Sequence, residues 1–139
     1  MSGLIGYQNG TWIPMCDVKP DPTDRGTNLA DQVTEVERTF NGKSFRMKEH
    51  IDRLYKTLKY VRIDAGLTPK EMLDITEEGI GRNQQIRPDM RDLYIIHVVA
   101  RGCGPMAWAS GSPNIYIKYS PQQFDWFATL YSTGVHGVI

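Results

Sequence analysis

The chain has 139 residues, 40% of them hydrophobic and 23% charged, and 16 basic residues balance 16 acidic ones. That length suffices for one domain with its own core, and a net charge of zero advertises neither a nucleic-acid nor a membrane surface. Two cysteines, Cys16 and Cys103, are too few for a disulfide scaffold and lack metal-ligand spacing, so the expected setting is reduced and cytoplasmic, without a metal. No basic leader followed by a long apolar run opens the sequence, and no apolar stretch nears the ~20 residues that span a bilayer.

Asn9-Gly10 lies between β-prone flanks in the segment Tyr7 to Ile13, which predicts a hairpin with a type I′ turn. The following KPDPTDRG is rich in Pro, Asp and Gly and reads as loop. Gln32 to Phe40 alternates as a strand, with Thr34, Val36, Arg38 and Phe40 on one face and Val33, Glu35, Glu37 and Thr39 on the other. Asn41-Gly42 is a second hairpin turn, from which Lys43 to Met47 returns. The period then changes. Ile51, Leu54, Tyr55, Leu58 and Val61 form one apolar stripe and predict a helix over Lys48 to Ile63, ended by Gly66. Thr68-Pro69-Lys70-Glu71 is a capping box with proline at the first helical position; it opens a second helix expected to end near Gly79 to Asn83.

Asp92 to Arg101 is a nearly continuous apolar strand, as expected of a central one. A long glycine-rich loop, GCGPMAWASGSPN, follows. Ile115 to Tyr119 and Ala128 to Ile139 read as two further strands, the last either docked in the sheet or leading on into another domain. Strands, two helices and more strands predict a single α+β domain over 1–139: two layers, a mainly antiparallel sheet with both helices on one face.

Several residues form an ordered series: Asp24 and Gly26, then Asp31, Glu35, Asn41-Gly42, His50-Ile51-Asp52-Arg53-Leu54, and later Tyr94 and Arg101-Gly102. A lone H-x-x-R-L would be weak, but the whole series resembles the class IV (fold type IV) pyridoxal-phosphate aminotransferases. The nearest likeness is to D-amino-acid, branched-chain and R-selective amine transaminases. The resemblance implies pyridoxal 5′-phosphate as cofactor, an amine or amino acid and a keto acid as substrates, and a homodimer. In that family the cofactor lies between a small amino-terminal and a larger carboxy-terminal domain, and the cofactor-bearing lysine belongs to the second. This sequence stops before that place, and its lysines at 19, 43, 48, 56, 59, 70 and 118 lie in contexts that do not match. The expectation is therefore an amino-terminal domain, with no catalytic residue of its own and inactive alone. Two other readings stay open. One is a lyase of the aminodeoxychorismate lyase type; the other is a non-enzymatic protein-binding domain anchored by Met106, Trp108 and Trp126.

By the same resemblance Arg53 contacts the cofactor phosphate, a task that suits a planar, permanently charged fork. His50 supports Arg53 or caps the helix, and Glu35 is structural. Thr34 stands where the family has an aromatic facing the cofactor. Val36 shares its face, and Tyr94 matches the family's core strand, so all three are pocket candidates. Ala30 and Gln32 replace two family glycines. Met106 and Trp108 occupy the places of the arginine and histidine that grip the substrate carboxylate in D-amino-acid aminotransferases, so a preference for D-amino acids is not expected. Single histidines such as His97 and His136 are assigned no chemistry.

Overall fold

Both Asn-Gly pairs turn the chain where the sequence places them. Asn9 (φ 48°) and Gly10 (φ 90°) join β1 (Ile5–Gln8) to β2 (Thr11–Pro14), and Asn41 (φ 50°) and Gly42 (φ 74°) join β3 (Gln32–Phe40) to β4 (Lys43–Ser44). Two consecutive positive φ angles match the right-handed twist of the strands, and Asn and Gly tolerate them best. The structure is a computed structural model that describes residues 3–104, 112–122 and 124–137, with only the backbone at 125–127.

Six strands form one antiparallel sheet in the order β2-β1-β6-β5-β3-β4. The apolar strand β5 (Leu93–Ala100) lies inside it, between β3 and β6 (Asn114–Pro121), where both of its edges are paired. In register, Glu35 sits opposite His97 and His97 opposite Ile117; one row along, Val36 faces Ile96 and Ile96 faces Lys118. The first row points to the helices, the second away from them.

Helices α2 (Met47–Val61) and α3 (Pro69–Ile86) cover the first face, as the order of elements predicted. Met47, Ile51, Leu54 and Leu58 of α2 meet Val33, Leu93, Ile95, Val99, Ile115, Ile117 and Tyr119 of the sheet in one buried cluster. Each such side chain contributes roughly 1.5–3 kcal/mol when fully removed from water. The Thr68–Glu71 box closes reciprocally at the start of α3. That helix runs past its expected end because its buried face continues through Ile80 and Asn83. Gly79 is a packing residue rather than a terminator, since a Cβ there would collide with the Tyr119 ring and hydroxyl. The Asn83 amide then grips β1, accepting the Ile5 N–H (2.8 Å) and donating to the Ile5 carbonyl (3.0 Å).

Three expectations fail. Part of the loop before β3 is helical: α1 (Arg25–Leu29) is capped by Asp24, which accepts the Gly26 N–H at 2.6 Å. Five residues are too few to show a period. The return from the second hairpin is two residues long, because Arg46 (φ 53°) turns the chain and Met47 already begins α2. The segment from Ala128 onward is not a strand. It lies in α4 (Phe124–Thr133) and in irregular chain after it, while 138–139 are outside the described residues. Strand β6 is already paired on both sides, so the sheet offers no inner slot, and the Ser132 and Thr133 hydroxyls both bond back to the Thr129 carbonyl at 2.9 Å. No described helix is long and apolar enough to cross a membrane.

The helix-covered face also buries Glu37 and His97. The Thr76 hydroxyl donates to the Met72 carbonyl (2.7 Å), so His97 Nε2, 2.8 Å away, donates to Thr76. Neither Glu37 oxygen has a hydrogen-bond partner, and His97 Nε2 stands 3.5 Å from one of them. Burial, with Glu35 and Glu77 nearby, pushes the Glu37 carboxyl up to about 8, and burial pulls His97 down to about 4. The folded chain thus holds the Glu37 proton long after the unfolded chain, with its ordinary value of 4.5, has released it. Stability contributed by this group falls as pH rises from 4.5 towards 8. His97 acts the other way, penalising the fold as pH falls below its ordinary 6.5. Between pH 6.5 and 8 the Glu37 effect stands alone. Urea midpoints should decline over that range in the wild type and stay level in Glu37→Gln; a level wild type would mean that the carboxylate finds a partner in solution.

Candidate functional site

Strand β4 pairs with β3 only at Thr39 and Phe40, so the outer edge of β3 before Arg38 has no strand partner among the described residues. Alternation sends the Glu35 side chain under α2, where it is buried. Its carboxylate accepts the Val36 N–H (3.1 Å), His50 Nδ1 (2.8 Å), Arg53 Nε (2.7 Å) and an Arg53 terminal nitrogen. A backbone N–H that bonds its neighbour's side chain is one not spent on β5, which places the carboxylate at the open edge. His50 and Arg53 are three residues apart on α2 and so share one side of the helix. The H-x-x-R spacing is thus the geometry needed to close two donors on one carboxylate. Because that carboxylate is an acceptor, His50 Nδ1 carries the proton; Arg53 also lies 3.5 Å from Nδ1.

Burial alone would raise the Glu35 carboxyl, but the hydrogen bonds from Arg53, His50 and Val36 outweigh it and hold the group at about 2. Glu35 in turn raises Arg53 further. The Arg53 side chain remains 66% exposed while its partner is buried, so two of its nitrogens are fixed and the third points outward. Such a fork can bind an oxyanion, with its orientation already set by Glu35. Since Glu35 offsets its charge, an incoming anion is held mainly by directed N–H bonds.

Thr34, Val36 and Tyr94 lie together on the helix-free face: Thr34 is exposed, Val36 half-buried and Tyr94 beside Arg38 in register. They meet the Arg53 site around the β3 edge, where the Val36 peptide bonds the carboxylate that Arg53 grips while its side chain faces the other way. Met106 and Trp108 fall outside the described residues. Two clefts open on this face. One of about 440 Å³ runs between Arg38, Tyr94 and α4; another of about 220 Å³ is floored by Val98, Tyr116 and Lys118 and walled by Pro20 and Thr27.

Sequence reasoning noted Asp31 and Arg101-Gly102 only as members of the series. They form the frame of the site. Asp31 accepts Arg25 Nε (3.0 Å) and Arg101 Nε (2.7 Å), and Arg101 also donates to the Val61 and Arg62 carbonyls at 2.8 Å each, capping α2. The Arg101 hydrogen bond leads in holding the Asp31 carboxyl below the usual range. Gly102 takes φ 89°, and a Cβ there would overlap the Ser112 carbonyl. Asp24, besides capping α1, accepts the Asn114 amide and so joins the loop to β6.

This architecture matches solved branched-chain aminotransferases. The enzyme from Thermoproteus uzoniensis superposes with a TM-score of 0.75 at 19% identity, over 87% of this chain and 41% of that one. The Escherichia coli enzyme gives 0.75 at 21%, over 86% and 41%. In sequence, the chain is 38% identical over 118 residues to a putative branched-chain-amino-acid aminotransferase of Methanocaldococcus jannaschii, covering 83% of this chain and 39% of that protein. It is 34% identical over 97 residues to a D-alanine aminotransferase of Bacillus licheniformis, covering 70% and 32%. No family model matches the chain. The chain is a homologue of the class IV aminotransferases, corresponding to the amino-terminal part of those proteins, and it spans about two fifths or less of the length of these relatives.

Removing Arg53 leaves Glu35 buried with His50 and one N–H. The depressed carboxyl contributes stability that is full above its ordinary 4.5 and is lost as pH falls towards 2. In Arg53→Ala the Glu35 carboxyl, followed by NMR, should titrate higher and acid unfolding should begin at higher pH, with Arg53→Lys between. An unchanged titration would show that His50 and Val36 suffice, and that the Arg53 contact is incidental to the fold.

Proposed function

We propose that this chain is the phosphate-holding, amino-terminal part of a pyridoxal-phosphate-dependent transaminase that moves an amino group between an amine or amino acid and a keto acid. The relatives' activities support the class of reaction. The observation that carries the cofactor reading is the Arg53 fork, fixed by Glu35 on one side and exposed on the other. It fits a phosphate monoester, which carries close to two negative charges and takes bidentate N–H bonds. Arg53 binds the phosphate; Glu35 and His50 orient it from the helix side. Thr34, Val36 and Tyr94 wall the adjoining substrate space with small, apolar and aromatic surface. When bound, the cofactor supplies the electron sink for the amino transfer. In the resembling family its lysine lies in the other domain, so the chain alone is expected to bind without turnover.

The test is a titration of the chain with pyridoxal phosphate and, for comparison, unphosphorylated pyridoxal. The phosphate should strengthen binding, and Arg53→Ala should weaken pyridoxal phosphate binding roughly 30- to 100-fold, the equivalent of one charge-assisted hydrogen-bonded contact. Arg53→Lys should be intermediate, since it keeps the charge but not the fork. Identical titrations of wild type and Arg53→Ala would move the phosphate site elsewhere. Amino transfer by the isolated chain, with one lysine trapped by borohydride, would overturn the half-site reading.

A further inference from the structure

The two Asn-Gly turns share a dipeptide and a pair of positive φ angles, yet their side chains are held differently. The Asn9 amide is gripped at both ends: its nitrogen donates to the Asn114 side-chain oxygen (2.8 Å) and its oxygen accepts the Ile115 N–H (2.7 Å). Its hairpin is four pairs long, and the Asn9 backbone N–H donates to the Ile115 carbonyl at 3.1 Å. The Asn41 side chain is exposed and has no hydrogen bond among the described residues. Its hairpin has two pairs, and β4 ends the strand order of the sheet. What is held there is the next peptide: the Gly42 N–H donates to an Asp92 carboxylate oxygen (3.1 Å), and the Gln84 amide donates to the Gly42 carbonyl (2.7 Å). Short elements at an edge open locally more readily than inner ones. Such opening lets the Asn41 amide turn onto the Gly42 nitrogen while Asp92 keeps hold of it.

An electrophile, a nucleophile and a base thus meet at one turn. Glycine has no Cβ to shield its nitrogen, and Asp92 already accepts the proton that this nitrogen must lose before it can attack. The Thr39 hydroxyl donates to the same Asp92 oxygen at 2.9 Å and fixes its position. We propose that Asn41 is a site of self-catalysed deamidation, with Asp92 as its base. The Gly42 nitrogen attacks the Asn41 side-chain carbonyl carbon; a C–N bond forms, and the Gly42 proton passes to Asp92. The bond to the Asn41 side-chain nitrogen then breaks, and that nitrogen takes the proton back from Asp92 and leaves as ammonia. Water opens the resulting cyclic imide at either carbonyl, which yields aspartate or isoaspartate. The balance is water consumed and ammonia released, with no oxidant and no cofactor. Isoaspartate carries an extra methylene in the backbone, so it misaligns Thr39 with Ser44 and Phe40 with Lys43, just ahead of the start of α2 at Met47. The site goes beyond the transaminase reading and does not rest on it.

The chain is incubated at neutral and mildly alkaline pH, folded and in urea, and peptide mass spectrometry follows the conversion of amide to acid at each asparagine. In the folded chain Asn41 should convert at least about tenfold faster than Asn9, since two side-chain hydrogen bonds must break at Asn9 and none at Asn41. In urea, where both turns are lost, the two rates should converge. Asp92→Asn keeps an acceptor but removes the base; it should slow Asn41 in the folded chain and leave the rate in urea unchanged. A well-dispersed amide spectrum shows whether that variant is folded. Should it unfold, the pH profile of the wild type carries the test: with a resident base, the folded rate at Asn41 should rise less steeply with pH than the rate in urea. Equal rates at the two asparagines in the folded chain, conversion of Asn41 only in urea, a folded Asp92→Asn as fast as the wild type or faster, or parallel pH profiles would overturn the proposal.

Discussion

The Glu35 carboxylate is buried beneath α2, and an ion taken out of water without partners is penalised by several kcal/mol. Much of the domain is arranged around relieving that penalty. Helix α2 must lie where its first two turns deliver His50 and Arg53 to one carboxylate, and that fixes its rotation about its axis. The apolar stripe from Met47 to Leu58 then falls on the sheet. At the far end, Arg101 holds the last α2 carbonyls while gripping Asp31, which pins the helix to the exit of β5 and the entry of β3. The helix is thus fastened at both ends by charge and along its length by packing. The same fastening fixes the outward-facing Arg53 nitrogen, so stability and anion recognition draw on the same contacts.

The strand alternation that buries Glu35 and Glu37 also decides what the opposite face can do. Thr34, Val36 and Arg38 are displayed because their neighbours are hidden, and β5 and β6 complete a surface of mixed apolar and cationic character. Both faces connect at the edge of β3, which before Arg38 has no strand partner among the described residues. A ligand held there would touch helix-borne and strand-borne groups at once.

What could be read from the sequence divides along physical lines. Local chemistry was legible: the Asn-Gly turns, the Thr68 capping box, the α2 stripe and the β3 alternation all appear as expected. Segments decided by the space that neighbours leave were not. Thr129 and Thr133 have strand-like propensity, but β6 already lies between β1 and β5 and the segment is helical; the signal that would have found it is the helical spacing of Phe124, Ala128 and Tyr131, which line one cleft. Arg53 drew attention through the ordered series of motif residues. Its bond to Glu35 required the alternation of β3 and the turn of α2 to be superposed.

Asn83 bears on how the chain assembles. Tyr7 of β1 pairs with Ile117 of β6, 110 positions later, so the first hairpin of the chain must wait for nearly the last strand before it gains its sheet partner. Pairings this distant in sequence slow folding, because the loop entropy is lost before the contacts form. An isolated two-stranded hairpin is marginal in water. The Asn83 side chain, bonded to both backbone groups of Ile5, ties β1 to α3 across 78 positions, a shorter loop than the pairing with β6 closes. A single amide thereby divides the longest loop of the sheet into two shorter ones.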